Sequence, residues 1–491
     1  MRRLLSPWFL VLAAILASRF IGMALFPFAD TTEPRYAEIA RLMAETGDWI
    51  TPWFEPGVPF WGKPPLSFWA QAASIKLFGV SEFAIRLPAW LATLGIVYLT
   101  WHFALLLWGK AAARWSALVF SSMALTYISA GAVMTDAFLV LGTTLSLVSF
   151  GLVMNGHVRY WRSLFFVGLA IGLLAKGPLA PVLVGIPIGL WFLLIRTSLA
   201  KLRHFPLFWG SILTVCAVLP WYILAEWKTP GFLDYFIIGE HFRRFVDPGW
   251  AGDLYGSAHV QPKGMIWIFW TWASFPWGII AISGLVISWI RRGTARESVR
   301  ALRDPALLFV LLATISPLLF FSMAGNTLWT YALPSLPFSA IMIARWLISL
   351  DLAWFKRFRW PLAGTVPVLL TIFVVLVAQG VATPKTEKQL VLKYQELALG
   401  QSSPLFYLGD LPFSARYYSR GTALELAPEE LLATISNSKY ETYFIAVPKN
   451  WAPVWAEQWI EDARTEAINR RYRLLSFSGT NHRQELSQND Q

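Results

Sequence analysis

Residues 136–154 read DAFLVLGTTLSLVSFGLVM. Beyond Asp136 this stretch holds no charged side chain, and its length approaches the ~20 residues an apolar helix needs to cross a bilayer. It therefore reads as a membrane span with its one acid at one end. Comparable apolar runs lie at about 7–29, 83–107, 115–133, 163–175, 178–195, 205–225, 265–290, 305–323, 328–350 and 360–381. The run at 163–175 is short, so it and its neighbour also fit a re-entrant pair. The expectation is a polytopic α-helical membrane protein with about eleven to thirteen membrane helices.

Composition supports this reading. Hydrophobic residues make up 56% of the chain and charged residues 14%, against about 25% charged in soluble domains. Trp and Phe are abundant, as expected where aromatic rings line bilayer interfaces. The formal net charge of +12 raises the question of nucleic acid. The basic residues sit in short connections between apolar runs and form no stripe, which points to membrane lipids and away from nucleic acid. Cys216 is the only cysteine, so disulfides within the chain and thiolate metal clusters are excluded. The start, MRRLLSPWFLVLAAILASRFIGMALF, lacks a clear small-residue cleavage site and reads as an uncleaved first helix.

Charge then assigns sides. If Arg2 and Arg3 are cytoplasmic, every second connection should be basic. Lys110 and Arg114; Arg159 and Arg162; Arg196, Lys201 and Arg203; Arg291 to Arg303; and Lys356 to Arg359 fit that alternation. The connections near 131–135 and 324–327 carry no Lys or Arg. Two long loops, 30–82 and 227–264, fall on the outer side together with the C-terminal tail. The chain is expected to divide into a membrane domain, 1–383, and an outer α/β domain, 384–491. In the latter, PLFYLG, TYFIAV and RLLSFS read as strands; APEELLATISN and VWAEQWIEDARTEAINRRY read as helices.

Most polar motifs lie in the two loops. DTTEPRYAEIA, residues 30–40, gathers Asp30 and Glu33 at a helix start. One reading is capping, with Asp30 or a Thr accepting backbone N–H groups and Pro34 in the first turn. The other is a general base or metal-binding carboxylate at the lipid–water boundary, where retained acids are candidates for function. The stretch Leu66 to Phe78 is amphipathic and fits an interfacial helix. Lys63, held between Gly62 and Pro64, fits either a snorkelling lysine or a point-charge clamp on phosphate. Arg86 is a similar case. The second loop gathers Glu240, His241, Arg243, Arg244, Asp247, Asp253, His259 and Lys263, suited to a polyanionic headgroup. Two loosely spaced histidines are a weak metal signal. No cofactor is required, and a divalent metal stays an open alternative. Asp136 and Lys176, at the outer ends of their spans, are expected to join the same polar cavity.

The blocks DTTEPRYAEIARLMAETGDWITPWF, WGKPPLSFW, FGVSEFAIRLP, MTDAFL, AKGPLAPVL, GEHFRRF, HVQPKGMIW and TLWTYALPSLP resemble, in order, those of the bacterial ArnT/protein-O-mannosyltransferase-like (PMT) family of GT-C glycosyltransferases. The resemblance covers nearly all the membrane portion. It implies a GT-C fold and an inverting transfer of sugar from an undecaprenyl-phosphate donor. The implied acceptor is lipid A, lipopolysaccharide or a related surface glycan. The implied location is the bacterial inner membrane, with the active site and C-terminal domain periplasmic. By resemblance Asp30, with Glu33 beside it, matches the catalytic acid, and Lys63 matches the lysine that grips the donor phosphate. Arg86, Lys176 and Arg244 are further candidates for that phosphate. Asp136, Glu240, His241, His259 and Tyr331 match the cavity and acceptor positions. Three departures stand out: Thr31 and Thr32 separate two acids usually adjacent, Gly62 replaces a glutamate, and Asn326-Thr327 stands where a basic residue is usual. The last two imply an altered donor or acceptor. Protein O-glycosylation is one alternative, and a polymerase or ligase of surface polysaccharide that uses the same lipid-linked donors is a nearer rival than transport. A lipid or glycan transporter should carry charge near span midpoints, often repeated between halves, and no repeat is visible here.

Overall fold

The computed structural model describes residues 6–195, 199–256, 259–290, 303–349, 353–399, 403–431, 442–451 and 463–478. The chain forms two compact units. One comprises Met1–Met23 and Leu42–Ile372, the other Ala24–Arg41 and Phe373–Gln491.

The first unit is helical. Seven described helices are long and apolar enough to cross a membrane, or eight if Met265–Ala273 and Trp277–Ile287, bent by 116°, form one span. The protein is therefore a multi-pass membrane protein. Glu82–Ser122 carries two of the apolar runs read from sequence. They are divided at Gly109, whose φ of 81° suits a residue without Cβ. Trp161–Lys176 and Leu179–Ile195 are separate shorter helices joined through Gly177.

The 136–154 run forms the helix Asp136–Met154, and most of its residues are buried. It crosses Trp161–Lys176 so closely that a Cβ on Gly168 would lie 2.6 Å from Gly142 O and 2.4 Å from Ser146 Oγ. Ser146 Oγ donates to Phe165 O across the same crossing at 2.9 Å. In lipid, where apolar burial gives little drive, small residues allow the close van der Waals contact that holds helices together. The crossing brings the N-terminal end of Asp136–Met154 and the C-terminal end of Trp161–Lys176, and with them Asp136 and Lys176, side by side. Elsewhere the core is dry and aromatic. Trp277 is fully buried and donates from Nε1 to Ser122 Oγ at 2.9 Å.

The second unit contains a mixed five-stranded sheet in the order Leu424–Leu426, Leu405–Leu408, Thr442–Pro448, Tyr472–Ser478, Arg464–Ile468. The first three strands run parallel, and the last two are antiparallel to their neighbours. Thr442–Pro448 is buried at all five interior positions, as a central strand covered on both faces must be. Tyr407, Phe444, Ala446 and Leu474 pack on one face with Leu390 and Val391 of the helix Lys388–Leu397. Tyr443, Ile445, Val447 and Leu475 pack on the other. The three strands expected from sequence are present.

One expectation fails. Arg464–Ile468, inside the stretch read as helix, is a strand paired with Tyr472–Ser478. Asn469 Oδ1 accepts the N–H groups of Arg471 and Tyr472, each at 2.8 Å, and turns the chain back. Ladder pairing and that asparagine turn override the helical propensity of Ala and Glu. Residues 452–462 of the same stretch, and most of APEELLATISN, lie outside the described residues.

Candidate functional site

Within the first unit, one chain of polar contacts links several positions singled out from sequence. Lys176 Nζ donates to Asp136 Oδ1 at 2.6 Å and lies 5.2 Å from the centroid of the Tyr331 ring. Both members of the pair are about nine-tenths buried, so each holds the other's charge in a site that would not tolerate it alone. At the next residue, Gly177 adopts φ 65°, and a Cβ there would meet the Phe236 ring at 2.6 Å. That close approach lets Lys176 O reach His241 Nε2 at 3.0 Å, while Nδ1 of the same ring faces Phe236 O at 2.7 Å. Burial pushes the His241 ring below its usual range more than the two carbonyls raise it.

His241 follows Glu240 in the π-helix Asp234–Arg243, a wide-turn geometry often found at functional sites. Glu240 is the hub. Its Oε1 accepts from Arg244 Nη1 at 3.0 Å, and its Oε2 lies 3.4 Å from Lys63 Nζ. Arg244 also reaches Asp253 Oδ2 at 3.1 Å. Burial works against charge on Glu240, but Lys63 and Arg244 outweigh it and hold the carboxyl below the ordinary range. Lys63 donates to its neighbour Gly62 O at 2.5 Å, so its ammonium uses two of three N–H groups, one of them at long range. The Gly62-Lys63 strap is fixed nearby. Trp61 N donates to Tyr255 Oη at 3.0 Å, and Tyr255 Oη donates to Pro59 O at 2.7 Å. Burial pushes the Tyr255 hydroxyl up to about 12, so it stays protonated.

Other candidates fall elsewhere. Asn326, at one of the departures, donates from Nδ2 to Arg244 O at 2.7 Å and to Asp247 O at 3.1 Å, bracing the backbone that carries Arg244. His259 is exposed and contributes its carbonyl to Thr327 N at 3.0 Å. Arg86 is fully buried and donates to Met23 O at 2.9 Å. Among the described residues no group of three His, Cys, Asp or Glu is placed to hold a metal ion.

Asp30 and Glu33 belong to the second unit. Asp30 Oδ1 accepts from Ser414 N at 2.7 Å, and Oδ2 accepts from Ser414 Oγ at 2.6 Å and from Arg471 Nη2. Its side chain is 1% exposed. Both oxygens are thus taken by groups far along the chain, not by the first N–H groups of the helix Thr32–Thr46. Glu33, in the first turn of that helix, is half-buried. Arg471 also donates to Glu387 Oε1, from Nε at 3.0 Å and Nη2 at 2.8 Å. Glu387 Oε2 accepts from Asn469 Nδ2 at 2.7 Å.

Burial pushes the fully buried Glu387 carboxyl up more than Arg471 and Asn469 lower it, and Asp30 adds to the rise. A raised folded-state value means the native protein binds the extra proton. The stabilisation is complete below the unfolded value, near 4.5, and is lost as pH rises through the folded one. The gap in melting temperature between wild type and Glu387→Gln should therefore shift against the wild type from pH 5 towards neutral. A pH-independent gap would contradict this. Glu387, Ser414 and Arg471 carry no sequence signal, because their contacts with one another and with Asp30 span from 27 to 441 positions.

The helical membrane unit and its cluster of loop cations and acids define a class, the polytopic membrane proteins of GT-C fold. The structure of ArnT from Cupriavidus metallidurans bound to undecaprenyl phosphate superposes with a TM-score of 0.75, covering 95% of this chain and 97% of that one at 18% identity. Its apo form gives 0.72. The family described as dolichyl-phosphate-mannose-protein mannosyltransferase (PMT) matches residues 7–236. An undecaprenyl phosphate-alpha-4-amino-4-deoxy-L-arabinose arabinosyl transferase of Yersinia pestis (strain Pestoides F) is 30% identical over 354 residues, 68% of this chain and 58% of the relative. The similarly named protein of Aeromonas salmonicida is 31% identical over 333 residues, 65% of this chain and 56% of its own length. The chain thus spans under two thirds of these relatives' length. In sequence it is similar to the PMT and ArnT-type membrane glycosyltransferases, and it shares the fold of ArnT.

Proposed function

We propose that this protein moves a sugar of the 4-amino-4-deoxy-L-arabinose kind from undecaprenyl phosphate to lipid A, with inversion at the sugar carbon. The observation that carries this is Lys63: a strapped ammonium that gives two of its three N–H groups to described residues, beside Arg244, in a chain with the fold of an ArnT that binds undecaprenyl phosphate. Lys63 and Arg244 bind the donor phosphate, displacing the long Lys63–Glu240 contact. Lys176, Asp136, His241 and Tyr331 shape and brace the cavity. The acceptor hydroxyl oxygen attacks the anomeric carbon. The bond from that carbon to the phosphate oxygen breaks, and undecaprenyl phosphate leaves with the electron pair.

The hydroxyl proton passes to a carboxylate, and we assign that role to Glu33. Asp30 holds Ser414 and Arg471 with its side chain out of solvent, and Glu33, three residues on, keeps part of its surface exposed. Arg86, held at Met23 O, is assigned no contact with the phosphate. Eleven membrane passages, the lower end of the eleven to thirteen expected, follow if Glu82–Ser122 counts as two, the shorter Trp161–Lys176 and Leu179–Ile195 each count as one, and the bent pair Met265–Ala273 and Trp277–Ile287 counts as one. The chain reads as 1–383, the membrane catalytic domain, and 384–491, an α/β domain. Charge alternation puts the reaction and the C-terminal domain on the periplasmic side of the inner membrane.

Purified protein in liposomes, given undecaprenyl-phosphate aminoarabinose and lipid A, should yield lipid A one aminopentose heavier by mass spectrometry. Transfer to a peptide, or from a hexosyl donor only, would overturn this assignment.

A further inference from the structure

We infer that the C-terminal sheet unit holds the catalytic acid in place, with Arg471, Ser414 and Glu387 as positioning residues that act through Asp30. The inference rests on the assignment of Glu33 as the acid. Asp30 stands three residues before Glu33, at the mouth of the helix Thr32–Thr46. Its carboxylate spans 384 residues of sequence to Ser414 and 441 to Arg471. Its own N–H donates to Lys385 O at 2.8 Å. Ser414 Oγ also accepts from Glu387 N at 3.0 Å, so Asp30 and Glu387 share both a serine and a guanidinium. Two residues before Asp30, Phe28 N donates to Tyr418 Oη at 2.7 Å, and the Phe28 ring meets Tyr417 edge-on at 4.9 Å. The segment entering the helix is therefore fixed through backbone, ring and carboxylate at once. Charge-assisted bonds to a buried carboxylate are strong and directional, so they set where the helix begins and hence where Glu33 points. Catalysis is sensitive to displacements of an ångström.

Arg471→Ala should lower kcat about 10- to 100-fold while the donor KM stays within about twofold, and Arg471→Lys should recover part of the loss. Asp30→Asn should cost a similar factor, and the double variant Asp30→Asn/Arg471→Ala should cost little more than either alone. In a Cys216→Ser background, Asp30→Cys/Ser414→Cys replaces the polar clamp with a covalent one. Once the disulfide is verified by mass, activity should exceed that of Asp30→Asn and fall again on reduction. Wild-type kcat in Arg471→Ala would overturn the inference, whether or not the disulfide forms. A formed disulfide without recovery would also overturn it, and would return the chemistry to Asp30. Hydrogen exchange separates the two layers: amides 28–40 should lose protection in Arg471→Ala even if Glu33→Gln proves fully active. In that case the role given to Glu33 fails and the clamp stands.

Discussion

Lys63→Ala is expected to lower kcat/KM for sugar transfer by about 10²–10³-fold, the scale seen when one preorganised donor to a developing charge is removed. The donor enters as a phosphodiester with one negative charge and leaves as a phosphate monoester carrying close to two. A cation at that oxygen is thus worth more in the transition state than in the bound donor, so kcat should fall along with any rise in KM. Lys63 suits the task because it is the least committed cation of its cluster. Its contact with Glu240 is long at 3.4 Å, whereas Lys176 is locked to Asp136 at 2.6 Å and Arg244 is shared between Glu240 and Asp253. Lys63→Arg should retain part of the activity, since charge survives while the compact geometry does not. Proteoliposomes with matched protein content, checked for insertion, give the measurement. A wild-type rate in Lys63→Ala would remove Lys63 from the site and with it the main support for a phosphate-linked donor.

How much of this could be read from sequence depends on the range of each contact. The 136–154 run and the outward placement of Asp136 and Lys176 followed from hydropathy and charge alternation, and their ion pair joins ends already assigned to one side. The Arg244–Glu240 pair, four residues apart, was legible as helical spacing. Lys63 meeting Glu240 across 177 residues was not, because nothing local records which loop lies against which. The same limit hid Asn326. A departure from the usual basic residue turns out to brace the Arg244 carbonyl. The strand Arg464–Ile468 was misread because its residues favour a helix on their own, and only its partner strand and the Asn469 turn decide otherwise. Asp30 was the hardest position to read from sequence. Its place at a helix mouth invited a capping or catalytic reading, while the groups that occupy it come from the far end of the chain.

Glu33→Gln should therefore be the most damaging change in the first loop, lowering kcat by about 10²–10⁴-fold, the range for loss of a general base. The substitution keeps shape and hydrogen-bonding capacity but removes the site that accepts the hydroxyl proton. Asp30→Asn acts by a different route. It weakens the clamp to Arg471 and leaves the proton acceptor intact, so its loss should be smaller. Steady-state rates in proteoliposomes with matched protein content decide the matter. If Asp30→Asn abolishes turnover while Glu33→Gln leaves it unchanged, the roles are reversed, and Arg471 sits on the catalytic carboxylate itself.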